Sequence, residues 1–135
     1  MKKLKGIYVL IIQIKNDVSC GIGALGELTF QRGLYAYVGS SQNNLELRVK
    51  RHQRKEKRLF WHIDYLLNNE ASIVTAVYYS ARKKTDECKV SRMIEANGAL
   101  PIRDFGCSDC LCKSHLFKAE NFEFLDNFLH PFKVT

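Results

Sequence analysis

Three short runs of β-branched and aromatic residues constrain this chain more than any other feature. Residues 6–14 (GIYVLIIQI), 34–38 (LYAYV) and 73–79 (IVTAVYY) each read as strands, the first ending at the turn signal Asn16-Asp17 and the second at Gly39. Leu28-Thr29-Phe30 and the 34–38 run, joined through Gln31-Arg32-Gly33, suggest a hairpin. Between these runs the apolar spacing turns helical. Asn43 or Asn44 serves as N-cap to a helix carrying Leu45, Val49 and His52. Residues 60–67 (FWHIDYLL) form a second short helix broken by Asn68-Asn69, and residues 86–97 a third that stops at Gly98. Phe122, Leu125, Phe128 and Leu129 mark a final helix before Pro131. Strands interleaved irregularly with helices predict an α+β fold.

A chain of 135 residues, with only two prolines and eight glycines to build a linker, reads as a single domain over 1–135. It can bury about two thirds of its unfolded surface without disulfide staples. Five cysteines, an odd number in no regular framework, point to a reducing, intracellular setting. Met1-Lys2-Lys3-Leu4-Lys5 before Ile7–Ile12 imitates a signal peptide. The apolar run is only six residues long, however, and no small-residue cleavage site precedes Cys20. No run approaches the roughly 18 apolar residues of a membrane span. The expectation is a soluble, cytoplasmic protein with no membrane partner.

Charge narrows the partner. The chain carries a formal +7, and residues 48–58 (RVKRHQRKEKR) hold seven Lys or Arg against one Glu. Outside that segment 14 basic residues face 13 acidic ones. A focused positive field suits a polyanion, of which nucleic acid is the commonest, although a solvated helix face is the bland reading. Lys50, Arg51, Arg54, Lys55, Lys57 and Arg58 are the candidate phosphate contacts. Gly21-Ile22-Gly23-Ala24-Leu25-Gly26 matches GxGxxG, but no helix fits between Gly26 and the strand-like Leu28-Thr29-Phe30. A nucleotide cofactor is therefore not expected, and the glycines read as a hairpin or loop.

Gly6-Ile7-Tyr8 and Tyr37-Val38-Gly39 each place a tyrosine near a glycine on a strand, and the second strand runs into the basic helix. Arg48 and His52 follow Tyr37 by eleven and fifteen residues, on one helix face, and Glu87 opens a later helix after a strand. With these residues the chain resembles the GIY-YIG nuclease superfamily, Val38 standing for the usual Ile. Tyr37-Val38-Gly39-Ser40, Trp61-His62-Ile63-Asp64-Tyr65-Leu66 and Gly106-Cys107-Ser108-Asp109-Cys110 resemble one prokaryotic and archaeal subgroup, a domain of unknown function with relatives linked to endonuclease III-like repair enzymes. The resemblance covers roughly residues 5–117 and implies a small, mainly antiparallel central β-sheet flanked by helices. The 29 residues from Tyr8 to Tyr37 exceed the usual spacing, so residues 15–33 read as a hairpin insertion that leaves both strands intact.

The resemblance implies a divalent-metal-dependent endonuclease acting on DNA, structure-specific and repair-related, with DNA-repair proteins as partners. The alternative is a non-catalytic nucleic-acid-binding module of the same fold. Hydrolysing a phosphodiester requires an activated water, neutralised charge on the phosphorane-like transition state and a stabilised leaving oxygen. A phenol, with its pKa of about 10, is a poor base unless positive charge lies nearby. Tyr8 is then the general base or water positioner, Tyr37 orients it or the scissile phosphate, and Arg48 is the phosphate clamp. His52 orients Tyr8 or shuttles a proton, and His62 stands second in rank, since a histidine between Trp61 and Ile63 is more often packed than catalytic. Glu87 holds Mg²⁺ or Mn²⁺; its bland reading is a carboxylate favoured at a helix N-terminus. Cys107, Cys110, Cys112 and His115 follow C-x2-C-x-C-x2-H, a possible zinc set. Four ligands so close together are unusual, so buried free cysteines are the preferred reading. Cys20 and Cys88 show no partner in the sequence, and Cys88 reads as core.

Overall fold

Every residue of the first strand except Gln13 is buried, because both of its faces are covered. The computed structural model describes residues 4–106 and 114–132. Along the chain run β1 (Gly6–Ile14), β2 (Val18–Gly21), β3 (Glu27–Phe30), β4 (Gly33–Ser41), α1 (Leu45–Gln53) and α2 (His62–Leu67). They are followed by β5 (Ser72–Ser80), α3 (Glu87–Ala96), β6 (Leu100–Pro101), β7 (Leu116–Ala119) and β8 (His130–Pro131). The fold is α+β. A six-stranded antiparallel sheet runs in the order β6-β7-β4-β1-β5-β8, with β2 and β3 forming a separate two-stranded sheet.

Alternation along β1 divides the core in two. Tyr8, Leu10, Ile12 and Ile14, with Tyr35 and Tyr37 of β4, pack against Leu45 and Val49 of α1 and Ile63 and Leu66 of α2. Ile7, Val9 and Ile11, with Ala36 and Val38, pack against Val90 and Ile94 of α3 and against Phe122, Leu125 and Leu129. A strand buried on both faces explains why residues 6–14 read as an unbroken apolar run. Each fully buried Ile or Leu contributes roughly 1.5–3 kcal/mol, so β1 contributes strongly to both halves of the core. Asn44 caps α1, its side chain accepting from the Leu47 N–H at 3.1 Å, which stabilises the helix by about 1 kcal/mol.

Four expectations need correction. The Leu28–Phe30 segment does not pair with β4; it pairs with β2, and β4 pairs with β1 and β7 instead. Asp17 Oδ1 accepts from the Arg32 N–H at 2.7 Å and fixes the turn between the two sheets. The insertion is thus a hairpin closed on itself, with the glycine-rich segment forming a 3-10 turn at Gly23–Leu25. The expected final helix is only a 3-10 turn, Glu123–Asn127. Phe122, Leu125 and Leu129 are still buried, so the spacing marked packing without marking a helix. Helix α2 begins at His62, because the Asp64 carboxylate accepts from the N–H groups of Phe60 and Trp61 and holds those residues outside it. Cys88 is half-buried and disulfide-bonded, which departs from the reading of reduced cysteines, whereas Cys20 is a free thiol.

Candidate active site

Register places the two tyrosines. Tyr8 sits opposite Gly39 of β4 and Tyr79 of β5, and Tyr37 sits opposite Leu10, so both phenols rise from the face covered by α1 and α2. A Cβ at Gly39 would lie 2.5 Å from both Cζ and Oη of Tyr8. Glycine at the end of Tyr37-Val38-Gly39 is therefore required by the Tyr8 ring, which links the two sequence motifs physically. From α1, His52 enters the same cluster. Tyr8 Oη lies 2.7 Å from His52 Nε2, and the His52 ring sits 6.2 Å from that of Tyr37 and 5.9 Å from that of Trp61.

Two arginines flank this cluster, 4.6 Å from the centroid of the Trp61 ring in each case. Arg48 Nη1 donates to the Ser40 carbonyl at 3.2 Å and stays partly exposed. Arg51 instead forms a two-pronged pair with Asp64 at 2.8 and 3.0 Å and donates to the Arg58 carbonyl. Asp64 is fully buried and, besides Arg51, its carboxylate serves the Phe60 and Trp61 amides. Burial alone would raise its pKa, but Arg51 and those amides outweigh it and hold the carboxyl below its ordinary value.

Burial dominates the other titrating groups. It pushes the Tyr8 phenol well above 10.0, with the Arg48 guanidinium only partly opposing it. Tyr37 is raised for the same first reason, reinforced by Tyr8, Glu87 and Asp64. The nearby positive charge expected to lower the Tyr8 pKa is present, but it is the smaller effect. Burial also takes His52 down to about 3, against the pull of Asp64, so the imidazole is neutral. Its Nδ1 is buried and makes no hydrogen bond among the described residues.

Glu87 opens α3 as expected, with 19% of its side chain exposed, and its Oε1 lies 3.9 Å from His115 Nδ1. It lies close enough to Tyr8 and Tyr37 to act electrostatically on both phenols. No group of three or more metal-ligating side chains occurs among the described residues. One partly exposed carboxylate fits a hard cation that keeps most of its waters, and not a closed protein cage. His62 faces another way: Gly106 N–H donates to its Nδ1 at 3.0 Å, and its ring lies 5.7 Å from that of Phe105. It thereby anchors the Gly106 backbone, which lies beside Tyr37 and His115. Of the zinc set, Cys107, Cys110 and Cys112 lie outside the described residues, while His115 is buried, 3.9 Å from Cys88 Sγ.

The basic segment divides by function. Lys55 Nζ donates to the carbonyls of Leu67, Asn69 and Ser72 at 2.6, 2.9 and 2.7 Å. Lys57 Nζ donates to those of His52 and Arg51 at 2.9 and 3.2 Å, and burial lowers its pKa to about 8. With Arg51, these cations lock the connection between α1 and α2. Arg54 and Arg58 are exposed, and Lys50 makes a surface pair with Glu46 at 3.2 Å, a weak contact. Leu47, Arg48, Lys50, Arg51 and Arg54 line an open groove of about 800 Å³ along the outer side of α1. The sequence reading missed Asp64 as the partner of Arg51 and Trp61 as the platform for two arginines. The i+3 spacing from Trp61 to Asp64 was the available signal.

The family model described as "Domain of unknown function DUF123" matches residues 7–133, and the chain belongs to that family. No curated protein and no solved structure matches the chain. Among the described residues no helix is long and apolar enough to cross a membrane.

Proposed function

We propose that this member of the DUF123 family is a divalent-metal-dependent DNA endonuclease of the GIY-YIG kind. The observation that carries the reading is the 2.7 Å contact between Tyr8 Oη and His52 Nε2, inside a cluster that also holds Tyr37, with Arg48 beside Tyr8. A phenol hydrogen-bonded to a neutral imidazole can position a water and pass on its proton. Arg48 is a partly exposed cation that acts on that phenol, and its planar fork suits two phosphate oxygens. Glu87 would hold Mg²⁺ or Mn²⁺, which supplies charge neutralisation on the phosphate. Lys50 and Arg54 along the groove of α1, with the exposed Arg58 nearby in sequence, supply sequence-independent affinity.

Tyr8 and His52 are each only 2% exposed, so DNA engagement has to uncover the phenol oxygen. That burial also favours a second reading, a non-catalytic DNA-binding module in which Tyr8 and His52 are core. One experiment separates them. Purified protein is incubated with linear, nicked, flapped and branched DNA in Mg²⁺, Mn²⁺ or EDTA. The nuclease reading expects metal-dependent cleavage of at least one branched or flapped substrate. Binding to all of them with cleavage of none would establish the module.

A further inference from the structure

Asp64 and His52 each retain one hydrogen-bonding capacity that no group among the described residues meets. On Asp64, Oδ2 accepts from Arg51 Nη2 and the Phe60 and Trp61 amides, whereas among the described residues Oδ1 accepts only from Arg51 Nη1. Oδ1 therefore has a lone pair to spare, on a side chain with no exposed surface. On His52, Nδ1 is buried without a hydrogen-bond partner among the described residues. The two atoms face each other at 3.9 Å. That is too long for a hydrogen bond at rest, but close enough for a carboxylate to decide which ring nitrogen carries the proton.

We infer that Asp64 is a positioning residue that holds His52 as the Nδ1–H tautomer, so that Nε2 is the acceptor for the Tyr8 hydroxyl proton. The inference rests on the nuclease reading for its purpose, not for its geometry. With the opposite tautomer, Nε2–H would donate to Tyr8 and block any transfer from the phenol. In the inferred tautomer, water gives a proton to Tyr8 Oη as Tyr8 Oη–H passes its own to Nε2. The hydroxide formed attacks phosphorus, the bond to the leaving oxygen breaks, and that oxygen takes a proton from solvent. His52 is left as an imidazolium and returns its proton to solvent. Moving both protons together avoids a free phenolate in a buried site, and the transient imidazolium faces Asp64. The cations Arg48, Arg51 and Lys57 around His52 oppose that charge, and the Asp64 carboxylate favours it. The arrangement parallels an Asp-His-nucleophile triad, with a water-activating phenol in the place of the hydroxyl.

Asp64→Asn tests this sharply. The Phe60 and Trp61 amides require the carbonyl oxygen of the new amide at the Oδ2 position, which turns its NH₂ toward His52 Nδ1. An NH₂ donor there forces the proton to Nε2. The probe is ¹⁵N NMR of the imidazole nitrogens at neutral pH, without DNA or metal. Wild type is expected to show a protonated Nδ1 and an unprotonated Nε2, and Asp64→Asn the reverse, with cleavage lowered about 10³–10⁴-fold. A wild-type Nε2–H tautomer overturns the inference, and this measurement needs no variant to fold. An unchanged tautomer in folded Asp64→Asn overturns it as well. Should the tautomers behave as expected while wild type cuts no DNA, the nuclease reading fails and the role of Asp64 in fixing the tautomer stands.

Discussion

Replacing Gly39 by alanine perturbs the site through one methyl group. The new Cβ would stand 2.5 Å from Tyr8 Cζ and Oη and 2.9 Å from Cε1, where ordinary contacts begin at 3.4 Å. The ring tip has to retreat by about 1 Å, as the steep repulsive wall of packed atoms dictates. Tyr79 stands opposite Tyr8 on the other neighbouring strand, and His52 holds its oxygen at 2.7 Å, so retreat weakens that hydrogen bond. Overpacking of this kind costs about 1–3 kcal/mol. For a domain of this size that lowers Tm by roughly 3–12 °C. Gly21→Ala is the matched control, because nothing lies within 4 Å of its added Cβ. Thermal and denaturant melts of both variants, with cleavage measured where each is folded, make the comparison. Gly39→Ala should lose both stability and rate, and Gly21→Ala neither. A Gly39→Ala protein that melts and cuts like wild type would refute the close packing of the two motifs.

Acid should destabilise the protein through His52. Its folded pKa of about 3 lies below the ordinary 6.5, so the unfolded chain binds more protons between those values and stability falls as pH drops through that window. The loss is on the order of 4 kcal/mol; a His52→Gln variant should show a flatter stability profile between pH 6.5 and 4, and an unchanged slope would contradict the burial argument. Neutralising Arg54 and Arg58 together should lower the salt slope of DNA binding by about two while leaving Tm unchanged. Lys55→Gln should instead lower Tm, since its ammonium ties three carbonyls; the opposite pattern in melts and binding isotherms would reverse the division of the basic segment. Glu87→Ala should bind DNA at least as well as wild type in EDTA, because a carboxylate repels phosphate, yet fail to cut in Mg²⁺ or Mn²⁺. Retained metal-dependent cleavage would place the cation elsewhere.

Elements whose local signal agrees with their packing were legible in the sequence. Strands β1, β4 and β5 carry β-branched runs long enough to cross the sheet, and α1 carries both its Asn44 cap and its Leu45, Val49 and His52 face. Strands β6 and β8 hold two residues each and β7 holds four, too few to show a period. The partner of β3 was misassigned because proximity in sequence favoured β4, whereas the pairing is set by β2 across the glycine-rich turn. In the site, the pairing of Tyr8 with His52 could be inferred from residue types, but its burial could not, and burial reverses the expected direction of the phenol pKa. The bonds of Lys55 and Lys57 to backbone carbonyls were likewise hidden, because composition counts charges without showing which of them are tied to the chain itself.

The central claim is that the Tyr8 hydroxyl takes part in cutting DNA, and single-turnover cleavage by Tyr8→Phe tests it most directly. The substitution removes one oxygen and leaves His52 Nε2 without its partner at 2.7 Å, which costs roughly 1–3 kcal/mol of stability. Rates are therefore compared at a temperature where both proteins are folded, with protein in excess over a flapped or branched DNA and Mg²⁺ present. The account predicts unchanged DNA affinity and a rate lowered by about 10²–10³ or more. A Tyr8→Phe rate within a few-fold of wild type would remove Tyr8 from the chemistry and contradict the account.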